Sequence, residues 1–145
     1  MQRVDEKLQV IGLIARIFRG LQRELNKRLG ELGLSYLDFS ILRATSEEPR
    51  SMVYLANRYF VTQSAITVAV DRLESNGLVR RIRDSKDRRV VVVEITEKGR
   101  EILKEGNEIY KKLVAEILSD VHDNEVNELI DKLTKILSKI ESSID

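Results

Sequence analysis

The chain has 145 residues, 42% hydrophobic and 34% charged, with a formal net charge of +1, one histidine and no cysteine. Such a length and composition suit a single helix-rich globular domain that buries about two-thirds of its unfolded surface. They leave no means for disulfides, thiolate chemistry or a zinc cage, and no apolar run approaches the roughly 18 residues that span a bilayer. With no signal-peptide pattern at the N-terminus, a cytoplasmic protein without membrane contact, cofactor or metal is expected.

From Asp5 to Leu32, apolar residues recur at Leu8, Ile11, Ile14, Phe18, Leu21, Leu25, Leu29 and Leu32. Steps of three and four mark one face of a long helix, which Gly30 and Gly33 close. Arg16, Arg19, Arg23, Lys27 and Arg28 fall largely off that stripe, as a solvated face would. Ser35 opens a second helix with Asp38 as its capping-box partner, and Phe39, Ile41 and Leu42 form its buried side. Ser46 to Arg50, which holds the chain's single proline, Pro49, reads as a loop.

Ser51 caps a short helix with Met52, Leu55 and Ala56 facing inward, and Tyr59, Phe60 and Val61 make a turn. Thr62 caps the next helix, whose Ile66, Val70 and Leu73 share one face. Gly77 ends it where a left-handed residue is wanted. Leu78–Arg83 and Val90–Ile95 read as strands around a charged hairpin tip, Asp84–Arg88. Thr96 caps a long helix to about Leu118, striped by Ile102, Leu103, Gly106, Ile109, Tyr110, Leu113 and Ile117. A last helix runs from about Asp123 to Ile144 through Val126, Leu129, Ile130, Leu133, Leu137 and Ile140, and His122 sits at its cap as a structural residue.

Two short helices joined by a tight turn and followed by a basic hairpin make a winged helix-turn-helix. The fold class is therefore mainly α with a small β-hairpin wing, flanked by N- and C-terminal dimerisation helices. Residues 1–34 and 97–145 form the helical dimerisation region, and 35–96 the winged DNA-binding region of one intertwined protomer.

Charge distribution supports an anionic partner. Residues 78–96 hold six basic against three acidic side chains, and residues 97–145 hold eight against twelve. A helix after a tight turn can enter a major groove, where base edges carry a distinguishable donor and acceptor pattern. Gln63, Ser64, Thr67, Val68 and Arg72 are its candidate readers. Arg81, Arg83, Lys86, Arg88 and Arg89 of the hairpin are candidates for phosphates or a narrow minor groove. Asp84 and Asp87 would be repelled there. Asp87 is expected instead to accept hydrogen bonds from Arg89 or from its own loop and so to brace the wing.

The outer helices are longer than the small winged module can cover, which points to a homodimer. Two recognition helices one helical turn apart then suit a pseudo-palindromic duplex. A pocket between the helical and winged parts would draw cationic and phenolic groups from Arg16, Arg19, Tyr36 and Tyr110; ordinary packing of those residues is the simpler alternative.

The stretch Leu73 to Gly99, LESNGLVRRIRDSKDRRVVVVEITEKG, resembles the MarR family of winged helix-turn-helix transcription regulators, especially its archaeal members. The likeness is carried by Leu73, Gly77, Leu78 and Val79, then Asp87 and Arg89 of a D-x-R wing, then Ile95, Thr96 and Gly99. It implies a homodimer and a regulator, usually a repressor, of nearby genes, released in many members by a small phenolic or aromatic-acid ligand. By position it implies that Asp87 braces the wing and Arg89 enters the minor groove. Members that sense through cysteines or metals use thiols or clusters this chain lacks.

Catalysis is not expected, because no Ser-His-Asp grouping, carboxylate pair or phosphate loop is present. RNA suits the recognition helix less well than a B-form groove does. The rival reading is a winged-helix protein-interaction module in transcription or assembly, for which five basic hairpin residues serve no purpose.

Overall fold

In the computed structural model, which describes residues 2–143, the elements are α1 (Gln2–Leu29), a 3₁₀ turn (Gly30–Leu32), α2 (Tyr36–Glu47), β1 (Arg50–Ser51), α3 (Met52–Tyr59), α4 (Gln63–Ser75), β2 (Val79–Arg83), β3 (Val91–Ile95), α5 (Glu97–Ile117) and α6 (Asp123–Ser142). The expected Ile144 lies outside the described residues. Two compact units result, one of residues 1–110 and one of residues 111–145 that holds the last turns of α5 and all of α6. No helix among the described residues is long and apolar enough to cross a membrane.

Caps set most of the boundaries. The Ser35 hydroxyl accepts from the Asp38 amide at 3.0 Å and the Asp38 carboxylate accepts from the Ser35 amide at 3.0 Å, a reciprocal capping box that starts α2. Ser51 accepts from Tyr54 N at 3.1 Å to start α3, and Thr62 from Ala65 N at 3.0 Å to start α4. The Thr96 hydroxyl accepts from Gly99 N at 3.0 Å and donates to Gly77 O at 2.6 Å, tying the start of α5 to the end of α4.

Three helix ends close with a left-handed residue and a six-to-one hydrogen bond: Leu34 N to Leu29 O, Val61 N to Ala56 O, and Leu78 N to Leu73 O. Gly33 and Gly77 supply two of the left-handed positions, and Phe60 (φ 55°) supplies the third. A side chain there is strained by about 1–2 kcal/mol, and Phe60 spends it while half exposed. Tyr59 belongs to the helix rather than the turn, and its hydroxyl donates to Ser40 O at 2.9 Å.

The core of the first unit is built by Leu25 and Leu29 of α1, Phe39, Ile41 and Leu42 of α2, Leu55 of α3, Ile66, Val70 and Leu73 of α4, and Val79 and Val93 of the sheet. Each such side chain contributes about 1.5–3 kcal/mol of burial. The sheet is three-stranded and antiparallel in the order β1-β3-β2, with Arg81 opposite Val93 and Arg83 opposite Val91. Its third strand, β1, lies where a loop was expected: Arg50 pairs with Val93 and Ser51 with Val92. Leu78 and Val90 fall just outside the strands because Leu78 N completes the end of α4 and Val90 N closes the hairpin on Asp87 O at 3.0 Å.

Candidate nucleic-acid interface

The apolar spacing of α4 turns Ile66, Ala69, Val70 and Leu73 into the core and leaves Gln63, Ser64, Thr67 and Val68 exposed on the opposite side. Thr67 already donates to Gln63 O at 3.0 Å, and Val68 is 60% exposed. That face carries an amide, two hydroxyls and a branched methyl pair, which matches the hydrogen-bonding and thymine-methyl contacts available in a major groove.

Arg72, the fifth candidate reader, has another partner. Its Nε lies 3.3 Å from Asp38 Oδ2 and its Nη2 2.5 Å from Asp38 Oδ1, and that side-on fork raises the Arg72 pKa above its ordinary value. The buried carboxylate of Asp38, 34 residues earlier in the chain, is the reason Arg72 folds back from the reading face.

The hairpin is held by its own acids. Asp84 N donates to Val90 O at 2.9 Å, and Asp87 N donates to Asp84 Oδ2 at 3.3 Å. The Asp87 carboxylate accepts three bonds from Arg89: from its backbone N at 3.1 Å, Nε at 3.0 Å and Nη2 at 3.1 Å. These bonds, side chain first and then backbone, hold Asp87 below the usual carboxylate range and raise Arg89. The Arg89 side chain is nevertheless 90% exposed. The loop acids thus spend their charge on the tip while its cations point outward.

Arg83, Lys86 and Arg88 are exposed too, and no carboxylate pairs with them among the described residues; Arg83 reaches only Arg88 O, at 3.5 Å. Arg81 departs from this set. It bonds Asp71 Oδ1 at 2.5 Å and the Glu74 carboxylate, so it joins β2 to α4 instead of facing outward. Hydrogen bonding to Asp71 raises its pKa above the ordinary value. Arg80 pairs with Glu94 at 2.7 Å across the hairpin. Sequence reasoning missed Asp71 and Glu74, and it read Asp38 only as a capping-box partner and not as the partner of Arg72. The i, i+3 spacing of Asp71 and Glu74 on one helix face was the available signal, whereas nothing local announces Asp38 as a partner.

The candidate pocket residues are divided. Tyr110 packs edge-on against Phe39 with ring centroids 5.4 Å apart, and the Arg43 guanidinium lies 4.9 Å from the Tyr110 centroid. Tyr36 meets Phe18 edge-on at 6.3 Å, and burial, then the neighbouring Tyr110, pushes its phenol up. Arg16 and Arg19 line, with Gly20 and Arg23, an open groove of about 430 Å³ along α1. The cation over the Tyr110 ring is therefore Arg43, a residue not singled out from the sequence although it lies one helical turn after Phe39. In the second unit, Glu125 Oε1 accepts from the His122 backbone N at 3.1 Å, which places His122 at the start of α6.

Residues 25–106 match the family model described as transcriptional regulator SarA/Rot. Among solved structures, the transcriptional regulator BldR from Sulfolobus solfataricus is 68% identical and superimposes with a TM-score of 0.89, covering 96% of this chain and 99% of that one. A mutant MarR from E. coli complexed with operator DNA is 27% identical, with a TM-score of 0.78 over 92% of this chain and 96% of that one. CouR from Rhodococcus jostii RHA1 bound to p-coumaroyl-CoA is 29% identical, with a TM-score of 0.80 over 87% of this chain and 90% of that one.

Proposed function

The chain belongs to the MarR family of winged helix-turn-helix transcriptional regulators, and from that premise we propose that it is a homodimeric, sequence-specific binder of double-stranded DNA that represses nearby genes, its own among them. Residues 35–96 read the duplex and residues 1–34 with 97–145 hold two copies together. One observation carries this reading. A wing whose loop acids bond within its own tip leaves Arg83, Lys86, Arg88 and Arg89 exposed, and Arg81 ties that wing to α4, whose exposed face carries Gln63, Ser64, Thr67 and Val68.

In this mechanism the wing cations contact phosphates and the adjacent minor groove while α4 lies in the major groove. Phosphate contacts dominate affinity, so binding weakens steeply with salt. The uncovered apolar side chains of α1 (Leu8, Ile11, Phe18) and of α6 (Leu129, Ile130, Leu133, Leu137, Ile140), each about 40–66% exposed, support the second copy. Two copies then present two α4 helices to half-sites about one helical turn apart.

The same proposal includes a small phenolic or aromatic-acid effector that releases the DNA, for which the packed aromatic and cationic groups of Tyr36, Phe39, Arg43 and Tyr110 are the candidate contacts. The complex of CouR with p-coumaroyl-CoA lends support from a relative.

The test is a gel-shift titration against the DNA upstream of the protein's own gene, at two salt concentrations and with unrelated competitor. Discrete shifts that resist competitor and weaken with salt support the reading. No shift at low salt overturns it in favour of a protein-interaction module.

A further inference from the structure

Asp38 is the one charged residue among the described residues that is fully buried, at 1% exposure. A buried carboxylate requires compensation by charge and by hydrogen bonds. Here it receives the Ser35 amide at 3.0 Å and the Arg72 fork at 3.3 and 2.5 Å. Asp38 takes the Nε/Nη2 edge of the Arg72 guanidinium, the edge that a side-on, two-point contact with a base or phosphate would use. Engaging DNA with that edge would strand a negative charge in the interior.

The pair also supplies something that the surrounding packing does not. Ile66, Val70 and Leu73 bury α4 through apolar contacts, which are non-directional and resist sliding weakly. A two-point guanidinium–carboxylate contact is directional. On the neighbouring side, Arg81 of β2 clasps Asp71, one residue before Arg72 in α4, and Glu74, two residues after it. The wing and α4 are thereby joined as one body, and Arg72 is its directional tie to α2.

We propose that Arg72 is a positioning residue: bonded to Asp38, it sets the depth and angle at which α4 presents Gln63, Ser64, Thr67 and Val68, and so governs sequence discrimination without touching DNA. This rests on the reading of α4 as the groove-entering helix. Binding faces work only when held to within about half an ångström by their supporting contacts, so a loosened α4 loses specific contacts first and wing phosphate contacts last.

The experiment uses the full chain and two probes: the duplex that the wild-type protein selects from a random-sequence library, and poly(dI-dC). The variants are Asp38→Asn, Arg72→Met, their combination, and Arg72→Lys, which keeps the charge opposite Asp38 but loses the planar fork. Asparagine retains an acceptor for the Ser35 amide, and all measurements are made below each variant's melting temperature. Asp38→Asn and Arg72→Met are each expected to weaken the selected duplex by on the order of tenfold, the scale of one base contact. Affinity for poly(dI-dC) and the slope of log K against log salt stay unchanged. The double variant is no worse than either single one, and Arg72→Lys falls between.

The proposal is overturned if Arg72→Met flattens the salt slope by about one phosphate and weakens both probes while Asp38→Asn binds normally. It is equally overturned if Asp38→Asn and Arg72→Met, or the milder Arg72→Lys where those two do not fold, leave the ratio of the two affinities unchanged. If the wild-type protein selects no sequence, the function proposed for α4 falls, and this inference with it.

Discussion

Asp87 and Arg89 form a closed unit, in which one carboxylate takes three bonds from a single residue two positions on. Because these bonds stabilise the ionised form, the Asp87 pKa in the folded chain lies below its unfolded value. The resulting stabilisation of the wing is therefore complete above the ordinary carboxylate range and lost as pH falls through the lowered pKa. A carboxyl-carbon NMR titration is expected to show Asp87 with a midpoint below the usual aspartate value, and Arg89→Ala, which removes the side-chain bonds and keeps the backbone one, to raise it part of the way back. A second residue is fixed by space. A Cβ on Gly99 would sit 2.1 Å from Leu78 O and 2.7 Å from Ile95 Cγ1, and that carbonyl is already held by Thr96 N at 3.0 Å. Gly99→Ala must displace backbone, and chemical denaturation is expected to report a loss of about 1–3 kcal/mol. Gly99 is legible in the sequence only as the end of a family motif, because the obstructing carbonyl comes from Leu78, in the junction between α4 and β2.

Among the elements, the wing is where charge and shape separate. Among the described residues no carboxylate pairs with the exposed Lys86, whereas Arg89 is held in a fixed direction by Asp87. Lys86→Ala is expected to weaken every duplex about equally and to reduce the salt slope by about one unit. Arg89→Ala is expected to cost on the order of tenfold with a preference for particular sequences, as groove contacts do; quantitative gel shifts at several salt concentrations separate the two. The helices, their caps at Ser35, Ser51 and Thr62, and the hairpin are legible in the sequence because each rests on local spacing or on a hydrogen bond within a few residues. Two features are not. The strand β1 is two residues long and exists only through pairing with a segment some forty residues later. Arg72 and Arg81 carry side chains that suit DNA, and only the fold brings Asp38, Asp71 and Glu74 within reach of them. That Arg72 and Arg81 are basic can be read from the sequence, but that acids of other elements occupy them cannot, even where the acids themselves, Asp71 and Glu74, are spaced to share a helix face.

At the scale of the molecule, a net charge of +1 conceals a hairpin region with an excess of three positive charges, enough to orient an approaching duplex over a Debye length of about 8–10 Å. The apolar stripe of α6 is expected to carry the dimer. Leu133 is 47% exposed, so Leu133→Asp removes little burial from the protomer. Sedimentation is expected to show monomers of unchanged fold, with affinity for a two-half-site operator falling to that of a single half-site. The short strand β1 has a bearing on how long such a protein survives in concentrated solution. It covers one margin of β3 next to Val90–Val93, four consecutive valines of high β propensity. The cover is fastened by the Arg50 side chain, which donates to Ala44 O at 3.1 Å, Glu48 at 2.8 Å and Glu47 at 3.1 Å. If this fastening is cut, the valine run becomes an open sheet edge, the kind that recruits further chains into fibrils. Arg50→Ala is expected to leave the melting curve nearly intact and yet shorten the lag before light scattering rises, so that two residues of strand act as the molecule's guard against aggregation.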